Sequence, residues 1–518
     1  MNDRSTDTAV RRRHPSAWHW LVVALTILHI VPIWAFKYFP SQDGPSHVEN
    51  AYMLAHYFDK GAAYSQYYDL NLRPFPNWLS HATMALWMKL VPPLAAEKML
   101  LTGYIVLFVL AMLYFLRSTT DHGDWLVLLA FPFIYNYLLH SGYYNFSISL
   151  PLVFLTIGYW WRRRDREADW KGWVVVNLLL VLLYACNILS QGIALASVLG
   201  LAAIHYRRRI GRTLRLAAAL IPACVLPAYY IAVERGEPGG RIGAGSLASY
   251  LATIGSLTSF DSRERYVGAA LAIAFAVLIG YSLAARMRIG RSGPRQGFVP
   301  SDGFLFLAAA LLLLYFLAPT RAFGGGTITY RLVLYPFLMV LPWLAAGMPR
   351  ALKGAAGTVA VGVALVHLGF TMHSYQVLNR GLAEYTSATS LVEKNSTILP
   401  ISFDHKGESA RVGVYRHAGS YYCVAGGAID LANYEGDKSY FPLRYKASLN
   451  PWSIIGSLEG VRGTIRPDKY PRRVDYILLW SVPAGFAAQA WLEADYDLIY
   501  AEGRLRLYER IESRQAGM

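Results

Sequence analysis

Residues 18–36, WHWLVVALTILHIVPIWAF, form an apolar run long enough to cross a bilayer, and three consecutive arginines at 11–13 precede it. The end of the run, Trp34-Ala35-Phe36-Lys37, offers no small-residue cleavage site, so it is interpreted as a signal anchor. Of 518 residues, 55% are hydrophobic and 16% are charged, too few charges for the surface of a soluble protein of this size. The sequence therefore predicts a polytopic α-helical membrane protein.

The formal net charge of +16 is concentrated between apolar runs. The basic clusters lie at 11–13, 162–166, 207–215, 286–295 and 350–353. The positive-inside rule assigns such clusters to the cytoplasm. Residues 372–518 carry 17 Lys and Arg against 16 Asp and Glu, so the tail is almost neutral. The excess charge is thus explained by topology, and no nucleic-acid partner is predicted.

Length divides the remaining apolar runs. Residues 125–161 and 173–205 are each too long for one span, and we place breaks at 140–145 and 187–192. The sequence then predicts about eleven spans, at 18–36, 98–116, 125–140, 146–161, 173–188, 191–206, 214–233, 267–285, 303–319, 331–347 and 354–371. With a cytoplasmic N-terminal tail at 1–17, an odd number of spans places the C-terminal region outside an inner membrane.

Two regions are predicted to lie outside the transmembrane core of residues 18–371. The first outer loop, 37–97, has amphipathic helical spacing at 48–58 and 78–90, suited to the membrane interface. Residues 372–518 are predicted to form a small extracytoplasmic α/β domain. Its predicted helices are 382–394 and 487–494, and its predicted strands are 397–403, 476–480, 496–502 and 505–509.

The segment 41–51, SQDGPSHVENA, follows the first span directly. Gly44 and Pro45 predict a turn that presents Asp43 at the membrane–water boundary. Ser46 is a candidate N-cap, with Glu49 three residues later as in a capping box. A carboxylate fixed at this boundary suits a base acting on a lipid-linked substrate, and the alternative is an Asp that only caps the turn.

His47 and Glu49 are candidate substrate-binding residues in the same segment. Asp43 and His47 are four residues apart, so a divalent metal is an open alternative, although the Gly-Pro turn interrupts the helical spacing and no second cluster has ligand spacing. No metal is assigned on this basis. The residues therefore leave the question of a cofactor open.

Polar groups at other predicted breaks fall on the same side of the membrane. Tyr143 and Asn145 suit contact with a sugar, although aromatic belts also place Tyr at this depth. Arg321 and Arg331 flank a glycine-rich loop, and either arginine can hold a phosphate or anchor a helix end by snorkelling. In the tail, an aromatic and acidic patch at 433–435 and 440–442 suits either carbohydrate or packing onto the membrane core.

The layout resembles the GT-C superfamily of integral-membrane glycosyltransferases, which includes protein O-mannosyltransferases and lipid A aminoarabinose transferases. The resemblance rests on Asp43-Gly44-Pro45-Ser46-His47, on residues 77–98 and on Arg331 opening a late span. It implies that Asp43 is the catalytic base or orients the acceptor, and that late basic residues hold the lipid phosphate. The chain has Asp43-Gly44 where several families have an Asp-Glu pair, so a second acid comes from Glu49 or none is needed.

The resemblance implies an inverting transfer of a sugar from a polyprenyl-phosphate donor to a hydroxyl of an envelope glycan, lipid or protein. A transporter or flippase of a lipid-linked or envelope precursor is the alternative, and a scaffold that binds cell-wall polymer is a third interpretation. Transporters carry ionisable groups near the middle of the bilayer and paired repeats. Here the polar groups gather on one side, which favours an enzyme.

Overall fold

The computed structural model describes residues 17–166, 169–234, 239–292, 299–322, 325–345, 347–456, 458, 465, 467–484 and 490–511. Helices dominate these residues, and the strands lie in the C-terminal part except for one in the first loop. This confirms the predicted class, a polytopic α-helical membrane protein with a small C-terminal α/β domain.

The first part of the chain alternates long helices with short ones. They are α1 Ala17–Ala35, α2 Gly44–His56, α3 Tyr64–Tyr67, α4 Leu79–Trp87, α5 Pro93–Thr119, α6 Tyr137–His140, α7 Tyr144–Arg163, α8 Trp170–Cys186 and α9 Ile188–His205. Helix α2 begins at Gly44 and has Pro45 in its first turn. Proline is tolerated there because the N–H groups of the first turn have no partner within the helix, so the missing N–H of proline removes no hydrogen bond. Asp43 is its N-cap residue, so the predicted capping box of Ser46 and Glu49 is wrong.

The predicted span at 125–140 is also wrong. The chain forms two 3-10 turns there, Asp124–Leu129 and Phe131–Phe133, followed by the short α6. Pro132 interrupts the run, and the side chain of Asn136 accepts hydrogen bonds from Leu138 N–H and Leu139 N–H to start a new helix. This irregular backbone is buried within the protein, where neighbouring groups rather than lipid surround it.

The second part of the chain continues the helical core. Its helices are α10 Ile210–Ala219, α11 Val225–Val233, α12 Ala244–Ala252, α13 Glu264–Ser292, α14 Asp302–Leu317, α15 Ile328–Leu332, α16 Leu334–Met339, α17 Leu341–Leu344 and α18 Arg350–Tyr385. A further 3-10 turn, Gly255–Leu257, follows α12. Among the described residues, five helices (α1, α5, α9, α13 and α18) are long and apolar enough to cross a membrane. The pair α10 and α11, bent by 52°, makes a sixth when it is treated as one span.

The predicted number of eleven full spans is not reproduced, since several apolar segments are short or broken. The predicted span 214–233 breaks at the 3-10 turn Ile221–Cys224, which contains Pro222, and 331–347 is divided into α15, α16 and α17, the last two of which contain Pro336 and Pro342. In contrast, α18 runs through the predicted domain boundary at 372. The helix predicted at 382–394 is therefore the end of α18 followed by a 3-10 turn, Thr389–Leu391.

The C-terminal domain is built on a five-stranded mixed sheet. With β1 Tyr68–Leu70 in the first loop, the strands are β2 Thr397–Ser402, β3 Ile429–Asp430, β4 Leu443–Tyr445, β5 Tyr476–Trp480, β6 Tyr496–Glu502 and β7 Leu505–Arg510. The sheet order is β3-β2-β5-β7-β6, in which β2 is parallel to β3 and β5, and β7 is antiparallel to β5 and β6. The four strands predicted from sequence are confirmed at β2, β5, β6 and β7. The remaining elements are α19 Ser420–Gly426, α20 Pro451–Ile454, α21 Ala490–Asp495 and 3-10 turns at Tyr434–Asp437, Ala447–Leu449 and Pro467–Lys469.

The first loop and the C-terminal domain pack as one unit. Strand β1 of the loop pairs antiparallel with β4 of the domain, and the Tyr68 ring stacks on the Tyr445 ring at 4.5 Å. The amides of Asn50 and Asn433 exchange hydrogen bonds at 3.0 and 3.2 Å between α2 and the domain. The segment between α1 and α2 is therefore held between the membrane core and the C-terminal domain. This packing sets the position of Asp43.

Candidate active site

The backbone around Asp43 lies against the turn between α6 and α7. The Gln42 N–H donates to the His140 carbonyl at 3.0 Å, and the Asp43 N–H donates to the Ser141 carbonyl at 3.3 Å. Gly142 completes this turn with φ +87°, and a Cβ there would lie 2.7 Å from the Gly44 nitrogen. Only glycine combines this conformation with so close an approach. The predicted break at 140–145 thus forms the support for Asp43.

The Asp43 carboxylate is almost buried, with 7% of the residue exposed. Its Oδ1 accepts a hydrogen bond from Gln42 Nε2 at 3.0 Å and lies 3.5 Å from His417 Nε2. Burial lowers the pKa of His417 well below its usual value, and the charge of Arg416 lowers it further. His417 therefore faces Asp43 as a neutral imidazole. The Tyr434 ring holds that imidazole at a centroid distance of 4.6 Å.

Asp43 lies at one end of a cavity of about 940 Å³. The polar lining includes five residues that the sequence analysis had selected, Asp43, His47, Tyr143, Asn145 and Arg331, and further polar residues such as Asn77, Asn187, Gln191 and Tyr434. The walls away from them are apolar and come mainly from α9, α11, α14 and α15, including Ile193, Leu195, Ile231, Leu307, Leu311, Leu314 and Leu332. A cavity with one polar end and long apolar walls fits an amphipathic ligand better than a free sugar.

Arg331 is the cation of this polar end. Its guanidinium lies 4.8 Å from the centroid of Tyr143 and 5.5 Å from that of Phe146, both within cation–π range. Its Nε is buried without a hydrogen-bond partner, and no acid of the described chain is ion-paired with it. A buried guanidinium without a carboxylate is energetically costly, which is typical of a group that binds an anionic ligand.

Arg321 lies elsewhere. It is exposed, its backbone pairs with Gly239, and it is absent from the described lining of the cavity. The sequence analysis considered Arg321 and Arg331 together because they flank one loop. In the structure α15 begins at Ile328, and only Arg331 lines the cavity.

Glu49 also lies away from the cavity. It is fully buried on α2, where it faces the C-terminal domain. Burial raises its pKa well above the usual value, and the charge of nearby Asp430 adds to this effect. Burial raises the pKa of Asp430 to about 7. Glu49 is thus placed to join α2 to the domain, and the structure does not bring it to the cavity as a second acid.

Asn145 both lines the cavity and supports it. Its Nδ2 donates to the Asn77 carbonyl at 2.8 Å, and its Oδ1 accepts from the Ser80 N–H at 2.8 Å. These two bonds fix the start of α4 against α7. The neighbouring Tyr144 hydroxyl donates to Glu97 at 2.5 Å and joins the first loop through Ser41 at 3.1 Å.

His47 contacts a buried carboxylate of the C-terminal domain. Its Nδ1 bonds to one oxygen of Glu435, and His81 Nε2 lies 2.8 Å from the other oxygen. Burial alone would raise the pKa of Glu435, but the two imidazoles outweigh burial and hold it at about 2. The sequence analysis placed Glu435 in an aromatic and acidic patch, and its complete burial against the first loop favours packing over an exposed carbohydrate surface. His81 had no local signal beyond the helical spacing of 78–90.

The whole chain is similar in structure to ArnT. The crystal structure of ArnT from Cupriavidus metallidurans in the apo state matches with a TM-score of 0.52 over 96% of this chain and 99% of that one, at 10% sequence identity. No protein-family model and no curated protein sequence matches this chain. The similarity shows that this chain has the same fold as ArnT. Together with the apolar helices, it identifies a multi-pass membrane protein.

Proposed function

We propose that this protein is a membrane glycosyltransferase that moves a sugar from a polyprenyl-phosphate donor to a hydroxyl group of an envelope glycan, lipid or protein. The observation that carries the proposal is the position of Asp43 and Arg331 at the polar end of one apolar-walled cavity. The fold supports it, since ArnT is an aminoarabinose transferase.

The lining of the cavity is compatible with each part of such a donor. The polyprenyl chain lies along the apolar walls, and the phosphate binds at Arg331, whose planar fork of donors matches phosphate oxygens. The sugar then lies between Arg331 and Asp43, next to Tyr143. His47 and Asn145 complete the polar lining on this side.

The reaction is a direct displacement at the anomeric carbon. Asp43 takes the proton of the acceptor hydroxyl as its oxygen bonds to that carbon. The bond from the anomeric carbon to the phosphate oxygen breaks, and the electron pair leaves on the phosphate. Arg331 stabilises that charge in a site of low dielectric. One displacement inverts the configuration of the sugar.

The proposed orientation follows from charge. The basic clusters between the apolar segments favour a cytoplasmic N-terminus, and this orientation would put the first loop and the C-terminal domain on the opposite side of an inner membrane. Lipid-linked sugars and envelope acceptors are both present on that side. A nucleic acid is not expected as a partner.

The test is transfer from radiolabelled undecaprenyl-phosphate sugars by detergent-purified protein, with an envelope extract as acceptor. We expect release of lipid phosphate, and loss of at least a hundredfold in rate for Asp43→Asn. Asp59→Asn is the matched control, since Asp59 is a half-exposed carboxylate of the same loop, paired with His56. Full activity of Asp43→Asn overturns the role of Asp43. Lipid movement without cleavage identifies a flippase, and neither activity leaves a scaffold.

A further inference from the structure

Three buried side chains converge where the first loop meets the C-terminal domain. His47 comes from α2, His81 from α4, and Glu435 from the 3-10 turn Tyr434–Asp437. Their ligand atoms all lie within 4.8 Å of one another, and none of the three residues is more than 5% exposed. Asp43, which the sequence paired with His47 as a metal alternative, is not part of this group.

The contact between the His47 ring and the Glu435 carboxylate requires a positive charge. His47 Nδ1 points at Glu435 Oε1, and His81 Nε2 points at Glu435 Oε2. In the neutral tautomer of His47 that carries its proton on Nε2, Nδ1 presents a lone pair. Glu435 as a carboxylate is only an acceptor. A lone pair facing a carboxylate oxygen needs a positive centre between them, either a second proton or a metal ion.

We propose that His47, His81 and Glu435 bind one Zn²⁺ ion. Two imidazole nitrogens and one carboxylate oxygen are a donor set that zinc prefers, and a water molecule takes the fourth tetrahedral position. The Phe441 ring lies 6.0 Å from the His47 ring and 5.4 Å from the His81 ring, so the site has an apolar wall.

The ion would position the loop that carries Asp43. His47 is one helical turn from Asp43, and the His47 N–H donates to the Asp43 carbonyl at 3.0 Å. Joining His47 to Glu435 fixes the start of α2 against the domain that supplies His417 to Asp43. The metal site stands on these contacts alone and does not require that Asp43 is a base.

The experiment measures metal in tag-free, full-length protein in detergent. We expect about one zinc per chain by elemental analysis. Chelation should lower Tm, added Zn²⁺ should restore it, and Co²⁺ added to the chelated protein should give the visible absorption of a tetrahedral site. His81→Gln and Glu435→Gln should lose the metal. His56→Gln should keep it, because His56 is a partly exposed histidine paired with Asp59, away from the group.

Co²⁺ binding to the wild-type chain decides the question even where a variant fails to fold. No Co²⁺ absorption and no Zn²⁺-dependent Tm shift would show that a proton bridges His47 and Glu435, and this result overturns the site. Equal metal content in Glu435→Gln overturns it too. Transfer activity is scored separately, so inactive protein that binds zinc refutes the proposed reaction and leaves the metal site standing.

Discussion

Replacing Arg331 should separate activity from stability. Arg331 is half-buried in the cavity lining, over the rings of Tyr143 and Phe146; its Nε is buried, and it is not ion-paired with an acid in the described chain. The change Arg331→Met keeps much of the side-chain length and removes the charge. If Arg331 binds the departing phosphate, this change should remove transition-state stabilisation. In the absence of substrate, the change should cost little or no free energy of unfolding.

The change should lower the transfer rate, but it should not lower the free energy of unfolding. Loss of one donor to a developing oxyanion lowers kcat by about 10²–10³-fold, which corresponds to about 3–4 kcal/mol. In the folded protein, two cation–π contacts contribute about 1 kcal/mol each. Burial of a guanidinium without an acid costs several kcal/mol. We therefore expect Arg331→Met to unfold at the same temperature as the wild type or at a higher one.

The assay combines initial transfer rates with thermal unfolding in the same detergent. Arg331→Lys should recover part of the rate, because it restores the charge without the planar fork. Arg321→Met is the matched control, since Arg321 is exposed and lies outside the described cavity lining. If Arg331 only anchors the end of a helix, Arg331→Met should have a normal transfer rate and a lower Tm. That result would refute the phosphate-binding role.

Two further changes test the support of the site. Gly142→Ala places a Cβ 2.7 Å from the Gly44 nitrogen at φ +87°, so it should lower the transfer rate at least tenfold at a strain of about 1–2 kcal/mol. Gly362→Ala, with no atom near its Cβ, should keep the rate, and equal rates would contradict this reasoning. Burial raises the pKa of Asp430 to about 7, so its contribution to stability is complete below its unfolded pKa of about 4 and is lost as pH rises through 7; the pKa of Glu49 is raised well above its usual value, so its contribution is likewise lost as pH rises through that raised pKa. Tm of the wild type should therefore fall between pH 5 and 8, Glu49→Gln should flatten that fall, and parallel curves for the two proteins would count against it.

Sequence patterns found the elements whose signals are local. The strands β2, β5, β6 and β7 were predicted because alternation and β-branched or aromatic residues act over a few positions. The same reasoning failed at 125–140, where a run of apolar residues led to the prediction of a membrane span. Residues 126–135 are buried by protein rather than exposed to lipid, so Pro132 and the Asn136 cap could end the helices there.

The sequence by itself determined the class of the protein and identified Asp43 as a candidate site residue directly after the first span. Apolar runs with basic clusters between them dictate membrane insertion, but α2 begins at Gly44 and not after the N-cap predicted at Ser46. Only the tertiary structure brought His417 to Asp43 and turned Arg331 inward while leaving Arg321 outside. It also joined His47 to Glu435, 388 residues away along the chain. The physical reason is range, because helix and strand periodicity order neighbours within a few residues, whereas these pairs depend on how the first loop packs between two separate cores.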